Sequence, residues 1–137
     1  MFSDCDSLKS IAVSVNNNNY CSANGVLFNK DKTELLHYPA AKADASYSVP
    51  GSVITIADSA FSGCRGIGEL KMTGVKNIEA EAFGNCYGLK SVTIPDSVTS
   101  IQYGSFRGCS SLESVVIPKS VTSIQYATFR GCSSLAS

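Results

Sequence analysis

The chain has one histidine in 137 residues, no excess of either charge, and no apolar run longer than a few residues. Each shortage removes a class of function. A lone His37, with no acid–base partner visible in the sequence, builds neither a catalytic triad nor a histidine metal cluster, and it reads as an ordinary strand position. Eleven Lys and Arg against eleven Asp and Glu leave no basic stripe, the electrostatic footprint a nucleic-acid contact requires. Crossing a bilayer takes roughly 20 consecutive apolar residues, so no membrane span is expected. Residues 1–5 carry neither the basic leader nor the apolar segment of a secretory signal. No Asn is followed two positions later by Ser or Thr, which removes the glycosylation signal. With 44% hydrophobic residues and modest charge, disorder is excluded and a single domain over residues 1–137 is expected.

What is abundant is repetition. The phrase Phe-x-x-Cys-x-x-Leu recurs as Phe61/Cys64/Ile67, Phe83/Cys86/Leu89, Phe106/Cys109/Leu112 and Phe129/Cys132/Leu135, spaced 22, 23 and 23 residues apart. Phe2/Cys5/Leu8 gives a further copy at the start. A period in the twenties that carries its own strand-like run marks a solenoid, in which each unit buries its apolar side only against its neighbours. About four units and a partial one are present. The chain begins inside one unit and stops inside another, and neither end shows an atypical capping unit, so the sequence reads as a segment of a longer protein.

Aligned on the cysteine, the unit runs Phe-x-x-Cys-x-x-Leu-x-x-Val-x-Ile-Pro-x-Ser-Val-x-x-Ile. Val92/Ile94 and Val115/Ile117 alternate with Thr93 and Val116, the period of a short strand with one face buried. Pro95 and Pro118 end these strands because proline cannot donate to a ladder. The return legs, Val98-x-x-Ile101 and Val121-x-x-Ile124, place two more apolar side chains on the opposite wall. Met72-Thr73-Gly74-Val75 lacks the proline and one residue. The deletion falls in the turn; in the strand it would have flipped every side chain to the other face.

Between Val13 and Pro50 the ruler slips. Residues 14–48 read as an insert: Asn16 to Asn19, then Tyr20 to Ala23, an Asn24-Gly25 turn signal, Val26-Leu27-Phe28, a polar turn, and Glu34 to Pro39. Two turn signals between apolar runs predict a small antiparallel hairpin or meander budding from the edge of the solenoid. It covers the end of the apolar stack, simply decorates it, or recognises a partner, with Tyr20, Phe28, His37 and Tyr38 as candidate contacts.

Five of the six cysteines, Cys5, Cys64, Cys86, Cys109 and Cys132, share one repeat position. That recurrence fits no zinc spacing and reads as buried free thiols that pack as small apolar residues, although stacked rungs would hold their Cα atoms near disulfide range. Cys21 falls in the insert. Gly63, Gly108 and Gly131, each before a cysteine, report a tight backbone turn and not a phosphate cradle. No cofactor is implied.

The string from Leu89 to Leu135, LKSVTIPDSVTSIQYGSFRGCSSLESVVIPKSVTSIQYATFRGCSSL, resembles the BspA-type (Treponema pallidum-like) leucine-rich repeats of bacterial and protozoan surface proteins, and the insert resembles an interruption seen in the same proteins. The resemblance implies a right-handed leucine-rich-repeat coil with parallel strands on its concave side, few helices, and non-enzymatic adhesion to a protein or glycan ligand at the cell surface or after secretion. The outward row of those strands would be Ser10/Ala12, Glu69/Lys71, Ser91/Thr93 and Ser114/Val116. Of these, Glu69, Lys71, Ser91, Thr93, Ser114 and Val116 are the candidate partner-binding residues. Tyr103 and Tyr126 recur one repeat apart and form either an exposed pair or a mutually packed one. The alternative to adhesion is a structural spacer with no ligand of its own, and unpaired terminal strands leave room for end-to-end self-association.

Overall fold

The structure, a computed structural model, describes residues 4–135. Phe2, the first ring of the repeat in sequence, lies outside the described residues. Ten short strands are present and no helix is found among the described residues: β1 Tyr20–Ala23, β2 Val26–Asn29, β3 Glu34–His37, β4 Ser46–Ser48, β5 Thr55–Ile56, β6 Glu69–Lys71, β7 Asn77–Ile78, β8 Ser91–Thr93, β9 Ser100–Ile101 and β10 Ser114–Val115. They form two sheets, one in the order β10-β8-β6-β4 and the other β1-β2-β3-β5-β7-β9. Each coil contributes one strand to each sheet, and successive coils pair in parallel. This is the expected β-solenoid.

The columns follow from the repeat. On one wall Tyr47, Leu70, Val92 and Val115 are in register; on the other, Leu35, Ile56, Ile78 and Ile101 are. The return leg of each coil therefore adds a parallel strand to a second sheet. Between the walls runs a ladder of rings. Tyr38, Phe61, Phe83, Phe106 and Phe129 stack with centroids 5.1, 5.0, 5.1 and 5.6 Å apart. Offset aromatic pairs contribute about 0.5–1.5 kcal/mol each beyond their buried area.

The turns between the walls are built alike. The carbonyls of Pro50, Pro95 and Pro118 accept hydrogen bonds from the N–H groups of Val53, Val98 and Val121, all at 3.0 Å, closing a four-residue turn. Within those turns Ser52, Ser97 and Ser120 donate to the carbonyls of Lys32, Val75 and Val98 one coil back, at 2.8, 2.7 and 2.6 Å. In the shortened turn Gly74 replaces this arrangement. A Cβ at Gly74 would sit 2.6 Å from the Gly51 carbonyl oxygen, so the turn closes only because no side chain is there. Register is kept on both sides of it, Leu70 to Val92 and Ile78 to Ile101.

Residues 34–48, counted with the insert in the sequence, belong to the coil. β3 pairs in parallel with β5, β4 pairs in parallel with β6, and Tyr38 occupies the ring position 23 residues before Phe61. The remainder is the antiparallel meander. Asn24 and Gly25 both have positive φ, 51° and 81°, as a two-residue hairpin turn requires. The meander extends the edge of the six-stranded sheet, with β2 added to β3, and it also covers the end of the stack, where Val26 and Phe28 are fully buried. Phe28, His37 and Tyr38 are buried and so are not available as contacts; Tyr20 alone of the four is exposed. Ser10 and Ala12 lie in no strand, because the segment around them crosses the hairpin, with the Ile11 N–H donating to the Gly25 carbonyl at 2.9 Å.

Candidate functional site

The outward side chains of the four-stranded sheet form two columns. Ser46, Glu69, Ser91 and Ser114 are in register along one, and Ser48, Lys71 and Thr93 along the other, which Val116 extends just past β10. All eight are exposed. The alternation that buries Leu70, Val92 and Ile94 is what turns these neighbours outward. The six residues singled out from the sequence thus share one surface, while Ser46 and Ser48 complete it. Their signal was Pro50, which closes a strand as Pro95 and Pro118 do.

The face is electrically quiet. Lys71 Nζ lies 3.5 Å from Glu69 Oε1 on the same strand, so the charged pair at its centre cancels, and both side chains remain well exposed. The other six side chains are uncharged and, Val116 and Thr93 included, short. A flat partner can approach such a surface closely, but no Trp, Tyr or Arg anchor projects from it. The anchors lie elsewhere. Tyr103 and Tyr126 stack with centroids 6.0 Å apart and are 39% and 74% exposed, so they are an exposed pair and packed on each other at once. Beside them Arg107 reaches Glu81 at 3.8 Å.

The cysteine column is structural in its geometry. The thiols of Cys64, Cys86, Cys109 and Cys132 donate to the carbonyls of Tyr38, Phe61, Phe83 and Phe106, each one coil back, at 3.8, 3.1, 3.1 and 3.1 Å. All six cysteines are free. Burial pushes the Cys86 thiol well above the usual thiol range, and that of Cys132 up to about 11. Such thiols are poor nucleophiles. A groove of about 340 Å³ between residues 4–6 and the adjoining turns collects Asp4, Asp6, Asp58 and Glu81. Among the described residues no three His, Cys, Asp or Glu side chains are grouped to hold a metal ion.

At the first coil Tyr38 has a polar tip to satisfy. Its hydroxyl donates to Asp44 Oδ2 at 3.1 Å, and Lys42 both bonds Asp44 and stands 5.6 Å from the Tyr38 ring centre. Burial and the bond to Asp44 raise the Tyr38 pKa; the hydrogen bond from Lys42 lowers that of Asp44.

Residues 43–137 match a family model six times over, that of the BspA type leucine rich repeat region. The chain belongs to the BspA-type leucine-rich repeat family. Solved structures share the fold over nearly the full length of the chain. A leucine-rich repeat protein from Eubacterium ventriosum is 36% identical with a TM-score of 0.91, covering 95% of this chain and 35% of its own. A leucine rich cell surface protein from Faecalibacterium prausnitzii is 31% identical with a TM-score of 0.91, covering 98% and 36%. The pneumococcal vaccine antigen PcpA is 30% identical with a TM-score of 0.90, covering 93% and 32%. The chain therefore spans about a third of the length of these BspA-type neighbours. No curated protein matches it.

Proposed function

We propose that this chain is a non-enzymatic adhesion module of a cell-surface or secreted protein, and that it binds a protein or glycan partner through the strand face of its four-stranded sheet. The observation that carries the reading is the pair of outward columns, Ser46/Glu69/Ser91/Ser114 and Ser48/Lys71/Thr93/Val116, held by the β-ladder at fixed spacing with all eight side chains exposed. Rigid scaffolds that display a repeated surface are how solenoids bind. The family and its structural neighbours, one of them a cell surface protein and one a vaccine antigen, support the location. The test is a binding screen against extracellular-matrix proteins and glycans, run beside a Thr93→Arg/Val116→Arg variant. Both positions are exposed, and circular dichroism checks that the variant is folded before it is screened. Binding by the parent alone upholds the strand face; equal binding by both removes it.

A second reading has its own observation. The face lacks aromatic and Arg anchors, and an interface without them carries little affinity. A spacer that lengthens a surface protein and holds another domain away from the cell needs no more than this. Absence of binding by a folded chain across the whole screen selects the spacer.

A further inference from the structure

The side chains missing from the strand face are collected on another edge of the coil. All three arginines of the chain, Arg65, Arg107 and Arg130, and three of its four exposed tyrosines, Tyr87, Tyr103 and Tyr126, lie on the ring-and-cysteine segments that lead from the second wall back to the first. Two of these segments are built alike. The Arg107 N–H donates to the Gly104 carbonyl at 2.9 Å and the Arg130 N–H to the Ala127 carbonyl at 3.1 Å, so each turn is preceded by a tyrosine and closed by an arginine. Between them Gly104 and Ala127 present at most a methyl group, and Ser105, Phe106 and Thr128 are buried. A shallow trough results, with the stacked rings of Tyr103 and Tyr126 on one side and Arg107 and Arg130 on the other. Tyr103 is 39% exposed with a coil on either side of it, so the edge is displayed sideways at an interior rung. The backbone fixes the spacing: the Gly104 N–H donates to the Tyr126 carbonyl at 3.4 Å and the Gly108 N–H to the Arg130 carbonyl at 2.7 Å.

The charge of the trough does not cancel. Glu81 closes one end, 3.8 Å from Arg107. Glu79 is turned away to the Asp58 N–H, which donates to its Oε2 at 3.2 Å. Among the described residues Arg130 forms no ion pair. Two guanidiniums against one carboxylate leave one positive charge, beside two phenol hydroxyls and the exposed amides of Gln102 and Gln125.

We propose that this trough is a binding site for an acidic sugar, a saccharide that carries one carboxylate, and that it is separate from the strand face. The ligand carboxylate takes the surplus charge in the two-pronged geometry that a guanidinium offers. The tyrosine rings and hydroxyls and the glutamine amides supply the flat apolar contact and the hydrogen bonds that a sugar ring and its hydroxyls use. One surplus charge matches one carboxylate; a polyanion would need the basic stripe that the chain lacks. A protein partner fits less well, because the hot spots of protein interfaces fill desolvated pockets and this trough is shallow and open.

The experiment is a titration of the full chain with sialyllactose, with the glucuronate disaccharide of hyaluronan and with neutral lactose, followed by the NMR signals of the backbone amides and arginine side chains. At least one acidic sugar is expected to shift the signals of residues 103–107 and 126–130 while lactose leaves them in place, and the arm that responds distinguishes a sialic acid from a uronic acid. Arg107→Gln/Arg130→Gln should weaken the response by about tenfold or more, through loss of the charge-assisted contacts. Lys76→Gln/Lys119→Gln removes the same charge from exposed positions elsewhere and should leave the response intact. If the arginine variant fails to fold, the map of shifts on the parent chain decides. The proposal is overturned if lactose binds as well as the acidic sugars, if the lysine variant loses as much as the arginine variant, if a glutamate-rich peptide binds the trough and no sugar does, or if all three sugars are silent. Shifts confined to residues 69–71, 91–93 and 114–116 also overturn it while upholding the strand face, so the two readings fail separately.

Discussion

The Cys109 thiol donates a hydrogen bond to the carbonyl of Phe83, 3.1 Å away and one coil back. The same bond links Cys86 to Phe61 and Cys132 to Phe106 at the same length, so the recurring phrase ties each coil to its predecessor through both of its named residues: the ring stacks and the thiol bonds. Cys109→Ala removes the bond and leaves a small void, at a cost of about 1–2 kcal/mol. Denaturant unfolding of the variant measures this. The burial that supports the bond also shields the sulfur. A thiol reagent on the native chain is expected to modify exposed Cys5 at once and Cys64, Cys86 and Cys109 only on unfolding, as peptide mapping by mass spectrometry will read; equal rates would contradict the buried column.

The ring ladder allows an internally controlled comparison. Phe106 is fully buried between Phe83 and Phe129, whereas Phe129 is a half-buried terminal rung. Phe106→Ala is expected to cost about 3–5 kcal/mol, a large part of a domain's stability, and Phe129→Ala less than half as much. Urea melts of the two variants make the comparison. Equal losses would mean that the last coil is as well packed as the one before it.

Much of this was legible because periodicity reports burial directly. Residues spaced 22 or 23 apart face the same environment in a stacked coil, so Phe61, Phe83, Phe106 and Phe129 announce the ladder by spacing alone. The coil from Tyr38 was hidden for the complementary reason: Tyr, Ala41 and Asp44 replace Phe, Cys and Leu, so the phrase vanishes while the backbone path persists. Backbone conformation left a fainter trace. Gly63, Gly108 and Gly131 announce the left-handed turn before each cysteine, with Asn85 taking their place at φ 56°. A second left-handed column, Ser59, Glu81, Gly104 and Ala127, precedes the rings and holds one glycine in four. Its positions were unreadable because the coil stacking imposes a conformation those residues do not prefer. The candidate face was legible as to which side chains point outward, since alternation decides that; Ser10 and Ala12 were misassigned because the meander diverts their segment.

That second column makes a stabilisation prediction. Ser59 sits at φ 57°, where an L-residue pays roughly 1–2 kcal/mol that glycine does not, and glycine's greater freedom in the unfolded chain returns only part of the gain. Ser59→Gly is therefore expected to stabilise the fold by about 0.5–1 kcal/mol. Gly108→Ala is the converse: φ is 75°, and the added Cβ would lie 2.2 Å from Asn85 Oδ1, so stability falls. Thermal melts of both variants should move in opposite directions, and a loss of stability in Ser59→Gly would refute the strain argument.

Acid should loosen the fold through His37. Its side chain is buried in β3 at the junction of meander and coil, and burial lowers its pKa below the ordinary 6.5 by disfavouring the charged form. The unfolded chain keeps the ordinary value, so between 6.5 and the lower folded pKa the unfolded state binds more protons than the native one. Stability is therefore greatest above pH 6.5 and falls as pH drops through that window, before most carboxylates begin to titrate. Asp44, held ionised by Lys42, adds its own loss only at more acid pH, because its folded pKa lies below the usual carboxylate value. Urea unfolding at about pH 7.5 and about pH 5.5 measures the first effect, and His37→Gln should flatten it. A parent chain equally stable at both pH values would show that His37 takes up its proton as readily folded as unfolded.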